Sequence, residues 1–314
     1  MKKSMFVMLL LLLLVVAGCS TQSSKNEQVE IEADGEAITI KDFVNREVRV
    51  NGIPEKIVTL GTGEMKIIHE LGGNLVGIPT SKDIVIEDLK DAVQVGNTHG
   101  MDLEKIAALQ PDVVIGDSIM NQKDLASIEG IGSQMIFTSA NSIKDIQAQI
   151  ELFGQLLQQE DKAKELIQKI TDKVVEKQAH AGEKPRVLLI YGAPGTYMAA
   201  LPNSLSGNML EAVGGENIAA DFPGLENYPQ YAQLNTERII QANPQFVFLM
   251  THGDAAIVKE GFIKEMEQNP SWSNLDAVKD GKIEILPADL FGTNPGSQVT
   301  EALDVLHSMI HDAE

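Results

Sequence analysis

Short apolar runs and longer amphipathic stretches alternate along most of this chain, many of them closed by glycine or proline. The runs Ile57-Val58-Thr59-Leu60, Leu75-Val76-Gly77-Ile78, Gln134-Met135-Ile136-Phe137, Val187-Leu188-Leu189-Ile190 and Ile283-Glu284-Ile285-Leu286 predict strands. Between them, helices are predicted over about 64–71, 143–157, 205–213 and 298–310, with Gly72-Gly73 and Gly214-Gly215 as stop signals. Strands alternating with helices point to an α/β fold with a largely parallel sheet. One stretch differs. Over 161–181, Ala163, Leu166, Ile167, Ile170, Val174 and Ala179 recur at helical spacing in a charged run free of Gly and Pro. This predicts one amphipathic helix of about 20 residues, about 30 Å long, stopped by Gly182 with Pro185 beyond.

One helix–strand unit occurs twice. Glu104-Lys105-Ile106-Ala107-Ala108-Leu109-Gln110-Pro111-Asp112-Val113-Val114-Ile115 returns as Glu237-Arg238-Ile239-Ile240-Gln241-Ala242-Asn243-Pro244-Gln245-Phe246-Val247-Phe248. Each copy has a cap candidate just ahead of its glutamate: Asp102 in the first, Asn235 or Thr236 in the second. A proline then stops the helix, and an apolar run predicts a buried strand. Duplication of such a unit implies two similar lobes, and two lobes imply a ligand-binding cleft.

The ends of the chain fix its compartment. Lys2 and Lys3 precede a nearly unbroken apolar run from Met8 to Val16, and small residues then lead to Cys19. This is a secretory signal. Its ending, Val16-Ala17-Gly18-Cys19, resembles a lipobox, in which the cysteine is diacylated and becomes the first residue. The apolar run is too short to be a spanning helix. Cys19 is also the only cysteine, which leaves the mature chain without thiol catalysis, disulfides or Cys-ligated metal. The polar stretch from Ser20 to about Gly35 predicts a flexible tether. The remainder exceeds the usual size of a single core. The expected organisation is a signal peptide over 1–19, a tether over 20–36, an N-terminal lobe over 37–142, a helical linker with the bridging helix over 143–183, and a C-terminal lobe over 184–314. A net charge of −20 argues against nucleic acid as a partner.

Several motifs together resemble a known family. Besides the lipobox they are Asn45-Arg46-Glu47-Val48, Gly96-Asn97-Thr98-His99-Gly100-Met101-Asp102-Leu103-Glu104-Lys105-Ile106, Pro111-Asp112-Val113-Val114, Gly214-Gly215-Glu216-Asn217-Ile218, and Asn294-Pro295-Gly296 before the last helix. In this order they resemble the substrate-binding proteins of ABC importers for iron complexes, haem and cobalamin, over essentially the whole mature chain. The resemblance implies two Rossmann-like lobes joined by one long helix (the class III periplasmic-binding-protein type), and only a small closure on ligand. It also implies a monomer, lipid-anchored on the extracytoplasmic face of the cell membrane, that delivers its cargo to an ABC permease and its ATPase. Family members present one glutamate per lobe to arginine pockets of the permease, and the matching residues here are Glu104 and Glu237. A carboxylate in the first turn of a helix is favoured by the macrodipole in any case; two at equivalent places in a duplicated unit favour docking.

The histidines bear on the cargo. The chain has six. His99 lies in the loop leading to the first repeat helix, and His252 directly follows the second repeat strand. Ligands of α/β sheets sit beyond the carboxyl ends of strands, so both are expected at the cleft, one from each lobe. A ferric porphyrin needs one or two axial donors within apolar walls. In haem-binding relatives the positions resembling His99 and His252 carry axial ligands, with Met in place of the first His in some, so Met101 is a reserve donor. Tyr191, Tyr197, Met198, Met209, Met250 and Phe291 are candidates for the porphyrin walls, and Tyr191 is also an alternative iron donor. His307 and His311 form an i,i+4 pair without a third ligand in the sequence nearby. Haem is the expected cargo, with a ferric siderophore or cobalamin as the alternative. The four arginines, Arg46, Arg49, Arg186 and Arg238, fall outside the predicted cleft loops, whereas anionic siderophores call for guanidinium forks. Aromatic residues make up only 4% of the chain, few for gripping cobalamin.

Enzyme chemistry finds no support in the sequence. No nucleophile elbow is present. Gly192-Ala193-Pro194-Gly195 follows a strand but lacks the dinucleotide fingerprint.

Overall fold

The computed structural model describes residues 37–80, 86–179, 183–193, 195–251, 254–268 and 270–312. The expected signal peptide, Cys19, the tether and His252 lie outside these residues. The first half opens with an antiparallel hairpin of β1 (Ile38–Lys41) and β2 (Glu47–Val50), which the apolar pattern did not announce. Then come β3 (Ile57–Thr59), α1 (Thr62–Leu71), β4 (Leu75–Ile78) and β5 (Val93–Gln94). A second hairpin, β6 (Gly96–Asn97) with β7 (Gly100–Met101), leads into α2 (Leu103–Leu109), β8 (Val113–Asp117), α3 (Leu125–Gly130) and β9 (Gln134–Thr138). Helices α4 (Ile143–Leu156) and α5 (Glu160–Ala179) carry the chain to the second half. There, β10 (Arg186–Ala193), β11 (Thr196–Ala200), α6 (Leu205–Ala212), β12 (Glu216–Asn217) and β13 (Tyr231–Gln233) precede the second repeat copy. That copy is α7 (Thr236–Ala242) and β14 (Phe246–Met250). It is followed by α8 (Ala255–Glu267), α9 (Asp276–Lys279), β15 (Ile283–Ile285), α10 (Ala288–Phe291) and α11 (Val299–His311).

The N-terminal sheet is parallel throughout, in the order β5-β4-β3-β8-β9. The C-terminal sheet runs β13-β11-β10-β14-β15, with β11 antiparallel to both neighbours and β12 parallel to β10. The expected alternation of strand and helix holds, but the β10–β11 turn adds an antiparallel edge that a reading of apolar runs misses.

The repeat is one physical device used twice. Asp102 caps α2 by accepting from the Lys105 amide, and Asn235 caps α7 by accepting from the Arg238 amide. Each helix ends on a left-handed residue, Gln110 (φ 49°) or Asn243 (φ 45°), and the proline that follows cannot continue the helix. Beyond the proline, the Asp112 amide donates to Lys56 O and the Gln245 amide to Arg186 O. These bonds set matching registers, Ile57 opposite Val113 and Val187 opposite Phe246.

Alternate strand residues feed different cores, as parallel sheets covered on both faces require. Val58, Leu60, Val114, Met135 and Phe137 face an outer cluster in the first half, and Leu188, Ile190, Val247 and Leu249 an outer cluster in the second. Ile57, Val113, Ile115, Val187, Leu189, Phe246 and Phe248 all belong to one central cluster with residues of α1, α4, α5, α6 and α11. The lobes therefore share a core, and the described residues form one compact unit. Helix α5 also does more than span. It buries Ala163, Leu166 and Ile170, and its Lys173 and Lys177 reach Asp304 of α11 at 3.1 and 2.7 Å. The lobes meet again where the start of α1 abuts residues 294–296. A side chain on Gly63 would strike Asn294, and one on Gly296 (φ +61°) would strike the Gly63 carbonyl.

Candidate ligand cleft

At the carboxyl edge of the N-terminal sheet the β6–β7 hairpin is held on all sides. The Thr80 amide donates to Gly96 O (2.7 Å) and the Asp102 amide to Val95 O (2.8 Å). Asn97 Oδ1 accepts from the amides of His99 (3.0 Å) and Gly100 (3.3 Å), and Asn121 of the loop after β8 donates to Thr98 O (3.2 Å). Gly96 must be glycine, because its φ is +91° and a Cβ would collide with the Gly100 carbonyl. His99 is thus presented, exposed, at the tip of a fixed hairpin rather than on a free loop. Met101 and Glu104 line an open depression of about 570 Å³ on this face, together with Thr80, Gly96, Gly100, Asp102, Leu103 and Lys105.

A second cavity, of about 150 Å³, lies between the lobes. Tyr191 of β10 lies directly opposite Met250, the last residue of β14, and Phe291 closes α10. All three line this cavity, with Met209 and Tyr231 beside them and Ala140 and Asn141 from the N-terminal lobe opposite. The rings of Tyr191 and Tyr231 are 5.4 Å apart and tilted by 38°. Burial pushes the Tyr191 phenol up to about 12, and burial raises Tyr231 as well. Both therefore stand as neutral phenols at neutral pH, and an iron ligated by Tyr191 would have to displace a proton. The remaining lining, Ser204, Leu205, Ser206, Gln230, Gly292, Thr293 and Asn294, contains no charged side chain. Three of the four arginines are engaged elsewhere. Arg46 pairs with Asp42 at 2.9 Å and stacks on Phe137; Arg186 donates to Ala242 O and Asn243 O; Arg238 donates to Asp221 O and lies over Phe222. Arg49 is exposed on β2, away from the cleft.

The structure thus brings Tyr191, Met250 and Phe291 together and leaves His99 and Met101 on the separate hairpin face. Tyr197 goes elsewhere. Its hydroxyl donates to Val258 O (2.9 Å) and its ring packs edge-on to Phe262, in the outer core of the second half. Its place on the antiparallel β11 explains this, since that strand was not foreseen. Met209, a wall candidate from the sequence, lines the cavity from α6, whereas Tyr231 was missed because it lies on a three-residue strand. The His307 and His311 ring centroids are 4.6 Å apart with the planes tilted by 45°, and His311 Nε2 contacts Val213 O at 2.9 Å. Among the described residues no group of three His, Cys, Asp or Glu side chains could hold a metal ion. None of their helices is long and apolar enough to cross a membrane. Glu104 and Glu237 are both exposed in the first turns of α2 and α7.

With this geometry in hand, the comparison with known proteins is direct. The family described as periplasmic binding protein matches residues 57–290. The chain belongs to that family. It is accordingly a substrate-binding protein and not an enzyme, and membership implies work outside the cytoplasm with an ABC transporter as partner. The chain is 27% identical over 240 residues to the high-affinity heme uptake system protein IsdE of Staphylococcus aureus, covering 76% of this chain and 80% of that one. The S. aureus IsdE structure complexed with heme superposes with a TM-score of 0.72 at 25% identity, over 82% of this chain and 98% of the other. An ABC transporter substrate-binding protein from Listeria monocytogenes gives 0.73 at 29% identity, over 82% and 99%. S. aureus SirA complexed with staphyloferrin B shares the fold, with a TM-score of 0.71 at 23% identity over 86% and 97%.

Proposed function

We propose that this protein is the haem receptor of an ABC importer for iron complexes, held at the extracytoplasmic face of the membrane through a lipid on Cys19. The observation that carries this reading is the uncharged interlobe cavity, walled by Tyr191, Tyr231, Met209, Met250 and Phe291. A carboxylate-rich ferric siderophore placed there would meet no cation, and an unpaired buried charge is costly. A porphyrin offers that cavity an apolar edge while its propionates remain in water at the mouth. The cavity admits only that edge, so the macrocycle lies across the mouth between the hairpin and the end of β14. His99 from the hairpin and His252, two positions after Met250, are the axial donors, with Met101 in reserve. Glu104 and Glu237 dock the loaded protein on the permease, and the protein works as a monomer.

The test is a titration of residues 20–314 with hemin and, in parallel, with ferric citrate-type siderophores. Hemin is expected to bind one to one with a sharpened Soret band of low-spin form, and the siderophores to bind at least about 100-fold more weakly. Siderophore binding without hemin binding, or a cobalamin complex, would replace haem as the cargo.

A further inference from the structure

Behind the cleft wall, a buried chain of hydrogen bonds joins the lobes. Glu64 in the first turn of α1 accepts on one oxygen from the Thr138 hydroxyl (2.9 Å) and from the Gln149 amide of α4 (3.2 Å). The same Gln149 amide nitrogen donates to Ser139 O (3.0 Å), and Gln149 Oε1 accepts from the Asn294 amide at 3.1 Å. Asn294 Oδ1 in turn accepts from the Gly296 amide (2.9 Å). Glu64, Thr138 and Gln149 are buried. Asn294 is the member of the chain that also lines the interlobe cavity.

We propose that Glu64 is a positioning residue for the ligand cleft: through Gln149 it holds the Asn294 side chain on the cavity wall and fixes how the lobes meet there. This rests on the interlobe cavity being the ligand site. A hydrophobic residue at position 64 would fill the space but leave the Thr138 hydroxyl only its long bond to Gly116 O (3.4 Å) and the Gln149 amide only Ser139 O. Its surroundings shift this carboxyl group toward the neutral form. Burial raises its pKa above 4.5, and the charge of Asp117 adds to this. Hydrogen bonds from its own backbone, Thr138 and Asn294 pull the other way without reversing the shift. Asp117 is the charged group that acts on Glu64, and none of the described cations pairs with it. With the folded pKa raised, the contribution is complete below about 4.5 and is lost as pH rises through the folded value. Glu64→Gln, of nearly the same shape and permanently neutral, abolishes that loss.

The experiment compares wild type with Glu64→Gln, Glu64→Ala and Asn294→Ala in three ways. Amide exchange of the ligand-free chain over 291–298 is measured, then hemin affinity, then the melting temperature from pH 5 to pH 8. Glu64→Gln is expected to keep wild-type exchange and affinity and to gain in melting temperature over wild type as pH rises. Glu64→Ala and Asn294→Ala are each expected to speed Gly296 exchange and to weaken hemin about tenfold, and the double variant to lose no more than either alone. A Glu64→Ala protein that melts lower yet keeps wild-type Gly296 exchange and hemin affinity would reduce Glu64 to a structural role and overturn the proposal. So would a Glu64→Gln protein as impaired as Glu64→Ala. If wild type fails to bind hemin, the proposed cargo falls, while exchange in the ligand-free chain still decides whether Glu64 positions Asn294.

Discussion

Hemin affinity is expected to fall by about two orders of magnitude, about 2.7 kcal/mol, when His99 and His252 are both replaced by alanine, with loss of the low-spin Soret form. Each single replacement is expected to leave a five-coordinate, high-spin complex of intermediate affinity. In the proposed complex the two donors come from different halves of the chain, so losing one would open one face of the iron without removing the other bond. Folding is not at stake for His99. Its side chain is exposed, and the hairpin is held through the Asn97, Thr98 and Gly96 backbone and side-chain bonds, none of which uses the imidazole. A His99→Met variant is expected to keep a six-coordinate complex with a shifted spectrum. Tyr191→Phe separates the alternatives. If Tyr191 were an axial donor, its loss would change the spectrum, whereas a wall residue loses only a hydroxyl. Unchanged spectra in both histidine variants, with a changed one in Tyr191→Phe, would move the iron to the tyrosine.

Haem-dependent growth or uptake is expected to drop by about tenfold or more when Glu104 and Glu237 are both converted to alanine, while hemin affinity stays at the wild-type value. The two carboxylates occupy matching first-turn positions on α2 and α7, each exposed. Neighbouring basic residues are turned to other partners. Lys105 donates to Gln94 O (3.0 Å), and Arg238 is tied to Asp221 and Phe222. Removing a first-turn carboxylate costs a helix about 0.3–1 kcal/mol of dipole interaction, too little to unfold the chain. Loss of uptake therefore reports on docking. Single variants are expected to retain partial uptake, because a two-point attachment that loses one point still holds by the other. Equal uptake by the double variant and wild type would remove these glutamates from the docking surface.

Much of this architecture was legible in the sequence where one residue type has one physical use. Pro111 and Pro244 end their helices, Asp102 and Asn235 start them, and the apolar runs after the prolines became β8 and β14 as expected. The long helix was readable because its polar face is charged and its buried positions, Ala163, Leu166 and Ile170, keep helical spacing. Pairing direction was not legible. Whether Thr196–Ala200 runs parallel or antiparallel depends on the turn after β10, and with that choice Tyr197 went into a core instead of the cleft. The same holds for the hairpin at 96–101, whose pairing covers two residues per strand and leaves no apolar alternation to detect. Glu64 was invisible for another reason. A glutamate in a first helical turn looks like an ordinary macrodipole partner, and only the fold brings Gln149 and Asn294, distant in the chain, to its carboxyl group. In the cleft, Tyr191 and Met250 were legible because they stand at the carboxyl ends of apolar runs that predict strands. Tyr231 required the tertiary structure.

The most direct measurement is a crystal structure of the hemin-loaded protein with anomalous data at the iron edge. The account predicts a single iron peak between the tip of the β6–β7 hairpin and the segment after Met250, with one porphyrin edge against Tyr191, Met250 and Phe291. An iron peak outside the space between the lobes, or a loaded protein without porphyrin density there, would contradict it.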